Sequence, residues 1–356
     1  MAHESEMSTE KLPLLPDDVA AQWLGSKLGH KVKSVSLTRT KFGTGTKLFY
    51  FIEYENEVAD PSSRPSHVCV KGVFDPVMLK SQSWTLSLAQ READFFAKIA
   101  PAIKHMRYPR GWWGGRSDQQ GIAIMSDLVH EGCTFPSEAG SYPLETVLEG
   151  VYQIAGLHAQ FWGKSQEDYP WIDNNYDPAM LAITETWDSV VREPGRPKLP
   201  EYLMDGARVR KAQKKYYSRR NPKFRTLLHG DTHMGNTYFT ADGHIRFLDW
   251  SAFHFASCFH DLVYFVSTMM TVEDRRTHEM EILDYYLSTL HSLGGPKLDR
   301  NDEELMIEYK KSYLTNLVWP VCGYILQPKT TVDVFAERTI AAWVDHKVLE
   351  VVEAEP

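Results

Sequence analysis

The stretch from Leu227 to Trp250, which reads LLHGDTHMGNTYFTADGHIRFLDW, places chargeable and amide side chains between apolar runs. Its oxygen donors include Asp231, Asn236 five residues later, and Asp249 thirteen residues after the asparagine. Oxygen ligands in small number suit Mg²⁺, which keeps some water ligands and takes the rest from phosphates. A separate carboxylate nearby can accept the proton of an attacking hydroxyl. The pattern therefore predicts phosphoryl transfer, in which an aspartate and an asparagine share one loop and a later aspartate binds metal.

A short β-hairpin is the element that would bring these groups together. The segments Thr237–Phe239 and Ile245–Leu248 are predicted strands, and the Asp-Gly pair between them favours a tight turn. Such a hairpin would return Asp249 to the side of Asn236, with Asp231 on the adjoining loop. We therefore expect two oxygen ligands at the open end of a small ribbon and a third carboxylate beside it.

The histidines of this stretch raise zinc as an alternative metal. His229 and His233 could be zinc ligands, but neither a cysteine nor a third histidine lies at ligand spacing. A lone histidine is more often a structural residue than a metal ligand. No catalytic role is predicted for His233.

Composition sets wider bounds on function. The chain has 356 residues, which is enough for two lobes or domains. Its formal charge is −8 and it has no long basic run, which argues against a nucleic-acid partner. Four scattered cysteines predict no disulfide framework and fit a reducing compartment. No signal peptide or long apolar run is recognisable, so we expect a cytoplasmic protein without membrane insertion and without an obligate protein partner.

Hydrophobic periodicity divides the chain into two parts. A polar tail, 1–15, precedes a sheet-rich N-lobe, 16–128, and a helical C-lobe, 129–356. In the N-lobe the pattern predicts helices at 16–29 and 87–101 and strands within 33–55, 66–74 and 111–128. In the C-lobe it predicts helices at 142–163, 177–192, 204–220, 258–294, 302–327 and 332–352. The N-lobe would bind a nucleotide, and the C-lobe would carry the catalytic loop and the acceptor pocket.

The motif HGDTHMGN, followed by DW at 249–250, resembles the catalytic loop and metal aspartate of the aminoglycoside phosphotransferase and choline kinase superfamily. The chain as a whole looks closest to its choline-kinase-like, ecdysteroid-kinase-like branch, and the resemblance covers about residues 20 to 290. GLHAQFW at 156–162 resembles a further segment of that family, and the resemblance implies a structural role for His229. The resemblance implies an α+β, bilobal, protein-kinase-like fold. Its small antiparallel-sheet N-lobe would have one main helix, and its larger C-lobe would be mostly helical.

The same resemblance implies a nucleotide site in the N-lobe. Lys71 lies in the valine-rich strand VCVKGV, where burial of a cation is costly unless it is paired. Glu92 on the following helix is the implied partner, and such a pair can hold nucleotide phosphates. The alternative is a lysine that extends to solvent from an edge strand. The implied nucleotide-binding residues are Gly43 and Gly45 of the loop KFGTGTK, Lys71, Glu92, and Ser126 and Leu128 at a hinge.

In catalytic terms the resemblance implies transfer from ATP, with Mg²⁺, to the hydroxyl of a small molecule. Asp231 would be the catalytic base, and Asn236 and Asp249 would be the magnesium ligands. Asp261 resembles a family aspartate that braces the catalytic loop, and it also stands where a helix N-cap is expected. Ser251 departs from the family pattern, in which glutamine or glutamate is common, and this departure bears on the substrate more than on catalysis.

The acceptor alcohol is the least constrained part of the prediction. Ten tryptophans and 17 tyrosines could grip a sterol-like or polycyclic alcohol or enclose an amino alcohol, although most should be core residues. An aminoglycoside fits less well because no acidic cluster is evident, and a protein acceptor fits less well still. Two alternatives remain: an enzyme that phosphorylates in order to drive dehydration or cyclisation, and a nucleotide-binding pseudokinase.

Overall fold

The computed structural model describes residues 11–136, 140–173 and 175–355, so residues 1–10 of the predicted tail lie outside it. The chain forms two compact units. Unit 1 comprises the chain up to residue 103, 107–134 and 239–253, and unit 2 comprises 104–106, 135–238 and the chain from 254 onward. The predicted lobe boundary at residue 128 stays a prediction.

Unit 1 is built on a five-stranded antiparallel sheet whose strands lie side by side in the order 32–41, 46–54, 67–72, 121–126 and 111–116. The predicted first helix is present, and it ends where Gly29 adopts a positive φ of 71°. The elements are α1 (Ala21–Leu28), β1 (Val32–Lys41), β2 (Thr46–Tyr54), β3 (His67–Gly72), α2 (Pro76–Ser81), α3 (Thr85–Asp94), β4 (Gly111–Arg116) and β5 (Gly121–Ser126).

The two faces of this sheet differ in character because side chains alternate along each strand. One face packs its apolar residues into a core with α1, including Leu48 of β2, Val70 of β3 and Ile124 of β5. The opposite face therefore receives the intervening residues, among them Lys47 and Lys71, which are direct cross-strand partners. Both lysines thus lie on the face opposite the apolar core.

Helix α3 approaches β5 closely because glycine leaves room for it. A Cβ on Gly121 would lie 2.3 Å from the backbone carbon of Ala89, a contact that no side chain could tolerate. Beyond Asp94 the helix continues as a π-helical turn, Phe95–Ile99. This close approach brings the acidic residue Glu92 to the sheet.

Unit 2 is mostly helical. Its predicted first helix is present as α4, and the later helical segments are shorter than the sequence pattern predicts. The helices are α4 (Leu144–Gln160), α5 (Tyr176–Ile183), α6 (Trp187–Val190), α7 (Gly206–Ser218), α8 (Phe259–Met269), α9 (Val272–Ser292), α10 (Glu303–Ser312), α11 (Val318–Val321), α12 (Lys329–His346) and α13 (Val348–Ala354). In the part of the chain that the structure describes, no helix is long and apolar enough to cross a membrane.

Two of the predicted continuous helices, 177–192 and 302–327, are interrupted by 3₁₀ turns at Thr184–Thr186 and Tyr313–Leu317, and two others are broken by non-helical residues. The segment 258–294 breaks at Met270, which is extended, and α9 restarts after Thr271, whose side chain accepts the N–H of Asp274 as an N-cap. The segment 332–352 breaks at Lys347, which has a φ of 50°. Apolar periodicity continues through both breaks, which is why the sequence pattern does not reveal them.

Two small strand pairs interrupt the helices. β6 (Arg225–Leu228) pairs with β9 (His254–Ser257), and β7 (Thr237–Phe239) pairs with β8 (Ile245–Phe247). The β7–β8 hairpin confirms the strands predicted there, whereas β9 was not predicted. The mixed α+β class predicted from the sequence is confirmed.

Candidate functional site

A buried ionic cluster lies in unit 1, on the face of the sheet opposite the apolar core. The Nζ atom of Lys71 is 2.7 Å from Oε2 of Glu92 and 3.0 Å from Oδ2 of Asp249. The side chains of Lys71 and Glu92 are only 8% and 3% exposed. The structure therefore brings the predicted lysine and glutamate together and adds the predicted metal aspartate to them. Lys71 does not extend to solvent.

The cluster perturbs the titration of each member. Burial alone would lower the pKa of Lys71, but the charges of Asp249 and Glu92 hold it above its usual value. Burial alone would raise the pKa of Asp249, but Lys71 holds it well below its usual range. For Glu92, burial raises the pKa more than Lys71 lowers it. Lys71 and Asp249 are therefore the firmly charged members, as buried ions stay charged only when paired.

Lys47 is a functional candidate that the sequence interpretation missed. It lies directly opposite Lys71 in the β2–β3 ladder and is half-buried. Burial and then the neighbouring charge of Lys71 lower its pKa. Each of the two antiparallel strands contains a lysine, and knowledge of the register would have shown that the two side chains lie on one face of the sheet. The register itself was not predicted.

The predicted glycine loop lies next to this cluster. A Cβ on Gly45 would come within 3.0 Å of Cε of Lys71, so the loop backbone passes directly over the lysine. Gly43 is exposed. A cavity beside Lys71 is bordered by Thr44, Gly45, Leu88, Ala89, Glu92, Asp249 and Ser251.

Asp249 has an unusual backbone conformation for a residue with a side chain. Its φ is 64°, and among the described residues it shares a positive φ only with Lys347 and glycines. Ser251 Oγ donates a 2.8 Å hydrogen bond to the carboxylate of Asp249. Strain of this kind persists where surrounding contacts over-determine a conformation, and it concentrates at functional sites. Ser251, the residue at which the sequence departs from the family pattern, thus contacts a predicted metal ligand.

The predicted hinge follows β5 in unit 1. The Ser126 N–H donates to the carbonyl of Arg110 at 2.9 Å, and the Leu128 carbonyl accepts the N–H of Cys133 at 2.9 Å. The side chain of Asp127 accepts the N–H groups of Val129 and His130, at 3.1 and 3.4 Å. Asp127 therefore caps the following turn, and a role in base binding for Ser126 and Leu128 stays a prediction.

The predicted catalytic loop lies in unit 2 and is organised around Asp231 and Asn236. The Nδ2 atom of Asn236 donates to Oδ2 of Asp231 at 2.7 Å and to its carbonyl at 2.9 Å. The two amide hydrogens are used in this way, so Oδ1 is the atom of the asparagine suited to metal binding. The side chain of Asp231 is 35% exposed. The carboxylate is thus both accessible and oriented by its neighbour.

Asp261 fixes the backbone of this loop through hydrogen bonds. Its carboxylate accepts the N–H groups of His229 and Gly230, at 2.7 and 2.9 Å, and Nε2 of His158 lies 3.2 Å away. The predicted bracing geometry is present. The N-cap interpretation is wrong, because α8 begins at Phe259 and Asp261 lies within its first turn. His229 is fully buried, in agreement with a structural position.

The pKa of Asp261 predicts how the stability of the protein depends on pH. Burial would raise this pKa, but the hydrogen bond and charge of His158 hold it at about 2, below the usual 3.8. A depressed folded-state pKa contributes stability above the unfolded value, and this contribution is lost as the pH falls through the folded value. The contribution of Asp261 to the free energy of unfolding is on the order of 2 kcal/mol at pH 5 and about half that at pH 3.

Urea unfolding of the wild type and of Asp261→Asn, measured from pH 5 to pH 3, tests this. The variant is expected to be less stable at pH 5, because it lacks a carboxylate oxygen for one of the two loop N–H groups. The stability difference between the proteins should narrow by about 1 kcal/mol as the pH falls. A difference that stays constant across this range would contradict the assigned pKa.

Comparison with solved structures identifies the fold. The chain is similar to an aminoglycoside phosphotransferase, APH(2")-IIia, in a complex with GDP and kanamycin, with 10% identity, a TM-score of 0.50, and coverage of 91% of this chain and 98% of that one. A choline kinase, LicA from Streptococcus pneumoniae, has 12% identity and a TM-score of 0.48, with 91% and 97% coverage. The predicted kinase-like phosphotransferase fold is confirmed.

Sequence comparison is more specific about the branch. The profile of the ecdysteroid kinase-like family matches residues 163–294, a segment that contains Asp231, Asn236, Asp249 and Asp261. This match confirms the predicted resemblance to the choline-kinase-like, ecdysteroid-kinase-like branch. The chain matches no curated protein sequence.

Proposed function

We propose that the protein is an ATP- and Mg²⁺-dependent kinase that phosphorylates a hydroxyl group of a small molecule. The observation that carries the proposal is the buried Lys71, which is held by both Glu92 and Asp249 beneath the Gly45 backbone. A buried lysine with two acidic partners is an expensive arrangement for stability alone. The lysine–glutamate pair within it is the arrangement that protein kinases use to position nucleotide phosphates.

In this proposal the cluster in unit 1 binds the nucleotide. Lys71 Nζ donates to phosphate oxygens while Glu92 keeps the ammonium group in place, and Lys47 adds a second cation on the same face. The N–H groups of the loop at Gly43 and Gly45 approach the phosphates. The residues fit a magnesium ion, because Asp249 is a firmly ionised carboxylate and Asn236 has an amide oxygen suited to a metal. Magnesium, when bound, would neutralise charge on the phosphate oxygens.

Asp231 is the proposed catalytic base. Its carboxylate orients the acceptor hydroxyl and accepts its proton as the phosphoryl group is transferred, so that the products are ADP and a phosphomonoester. Asn236 donates to one carboxylate oxygen, Oδ2, at 2.7 Å, and the other oxygen is the proposed proton acceptor. A general base must lie within hydrogen-bond reach of the hydroxyl and be correctly oriented, and the exposure of the Asp231 carboxylate and its hydrogen bond from Asn236 support this role.

For the acceptor we propose a sterol-like, polycyclic or amino alcohol. Of the tryptophans in unit 2, Trp187 and Trp343 are buried and stacked on each other, so they belong to the core. Trp319 is also buried, but its ring makes a T-shaped contact with the ring of His233, two residues from Asp231, with centroids 5.2 Å apart. Trp319 is therefore the aromatic group that we propose borders the acceptor.

The proposal is tested by ADP release from ATP and Mg²⁺ over a panel of sterols, choline analogues and sugars, with excess chelator as the control. We expect at least one acceptor class to raise ADP release above the acceptor-free rate, and we expect chelation to remove the effect. Mass spectrometry of the acceptor should show a phosphomonoester. Nucleotide binding without ADP release over the whole panel would instead indicate a pseudokinase.

A further inference from the structure

His233 has a defined tautomer in this structure. It is buried, with 8% of its surface exposed, and it caps the short 3₁₀ turn Met234–Asn236. Its Nδ1 atom accepts the backbone N–H of Gly235 at 3.0 Å. An imidazole nitrogen that accepts an N–H carries the lone pair, so the proton of the neutral ring is on Nε2.

The protonated nitrogen is directed at the proposed catalytic base. Nε2 of His233 lies 3.6 Å from Oδ2 of Asp231. The ring packs in a T-shaped contact against Trp319, at 5.2 Å and 80°, and against Phe335, at 6.1 Å, and these contacts hold its orientation. Gly235 makes the position possible, since a Cβ there would lie 2.7 Å from Cε1 of the imidazole.

We propose that His233 is a positioning residue for Asp231, an inference that rests on the proposed function. Oδ2 of Asp231 receives the N–H of Asn236 at 2.7 Å, and it faces the N–H of His233. Two donors on one oxygen fix the rotation of the carboxylate and leave Oδ1 directed at the acceptor hydroxyl. The 3.6 Å separation is longer than a hydrogen bond, and contacts of this kind tighten when substrate binds.

The competing explanation is that His233 serves only as a helix cap. The two roles use different nitrogens of the ring, so substitution can separate them. Asparagine is a preferred N-cap and places an acceptor near the position of Nδ1, but it has no donor that reaches Asp231. Glutamine can carry an amide N–H out to the position of Nε2, but it gives up the capping acceptor.

His233→Asn and His233→Gln are therefore a matched pair. For His233→Asn we expect urea stability and the Kd for MgATP to match the wild type, while kcat falls about 10- to 100-fold with little change in KM, because the carboxylate is no longer oriented. For His233→Gln we expect lower stability with kcat largely retained. A cap-only role requires the reverse pattern, with full kcat in the asparagine variant, and that result would overturn the proposal.

A second measurement does not depend on turnover. ¹⁵N spectra of the wild-type imidazole, assigned by loss of the signal in His233→Asn, should show a protonated Nε2, and this resonance should move in Asp231→Asn. A ring protonated on Nδ1, or an Nε2 resonance insensitive to Asp231, would overturn the inference about His233. Absence of turnover with every acceptor would instead contradict the proposed function, so the two failures are distinguishable.

Discussion

Asp231→Ala is expected to lower kcat by about 10²- to 10⁴-fold, because the acceptor hydroxyl loses the group that orients it and accepts its proton. The Kd for MgATP should stay within about twofold of the wild-type value, since the buried cluster in unit 1 is unchanged. Steady-state kinetics and isothermal titration calorimetry measure the two quantities. Undiminished phosphorylation by this variant would refute the role assigned to Asp231.

We expect Asp231→Ala to stay folded, so that its loss of activity reports on catalysis. The side chain is 35% exposed, and its carbonyl remains to accept one of the two hydrogen bonds from Asn236. The expected loss of stability is therefore about 1 kcal/mol, the net value of one hydrogen bond. Asp231→Asn is the matched control, because it keeps the shape of the side chain while removing the basic carboxylate. It should be as inactive as the alanine variant and closer to the wild type in stability.

Lys71→Met is expected to have the second large effect, and it acts on both binding and stability. Removal of the ammonium group takes away the proposed phosphate contact, so the Kd for MgATP should rise by about tenfold or more. It also leaves the carboxylates of Glu92 and Asp249 without their buried partner, which costs about 3–5 kcal/mol when one member of a buried pair is removed. Calorimetry and urea unfolding measure these effects.

The free energy of unfolding that Lys71→Met loses should become smaller as the pH falls. Burial already raises the pKa of Glu92, and the loss of Lys71, which lowers it, must raise it further. A folded-state pKa above the unfolded value favours folding at low pH and opposes it at high pH. The variant should therefore recover part of its stability as the pH falls toward 5, through protonation of Glu92.

Lys47→Met provides the matched control, since it makes the same substitution at the cross-strand partner of Lys71. The Lys47 side chain is half-buried, and its pKa is lowered by burial and by the charge of Lys71. Its removal should weaken MgATP binding by less than about tenfold and leave stability near the wild-type value. Equal effects of the two substitutions, or wild-type nucleotide binding by Lys71→Met, would contradict the special position given to Lys71.

The sequence predicted those features that depend on local pattern and on the cost of burying charge. The cost of burying Lys71 in an apolar strand favoured an acidic partner, and the family resemblance implied Glu92, whose Oε2 lies 2.7 Å from Nζ of Lys71. The Asp-Gly turn predicted the β7–β8 hairpin in the same way. In these cases the energetic requirement and the chain connectivity left few arrangements open.

Features that depend on contacts distant in sequence could not be predicted in this way. The strand β9 is short and is defined by pairing with β6, whose residues precede it by about 30 positions. Lys47 lies beside Lys71 only because of the register in which β2 pairs with β3. His233 was given no catalytic role, because the direction of its Nε2 depends on a cap at Gly235 and on packing against Trp319. The meeting of Asn236 with Asp249 stays a prediction.

The most direct test of the central claim follows the phosphoryl group itself. ATP labelled at the γ-phosphate is incubated with the wild-type protein, Mg²⁺ and the acceptor found by ADP release, with Asp231→Asn in parallel. We predict that the label appears in a phosphomonoester of the acceptor with the wild type only. Label recovered entirely as inorganic phosphate, with a dehydrated or unchanged acceptor, would contradict the assignment as a kinase.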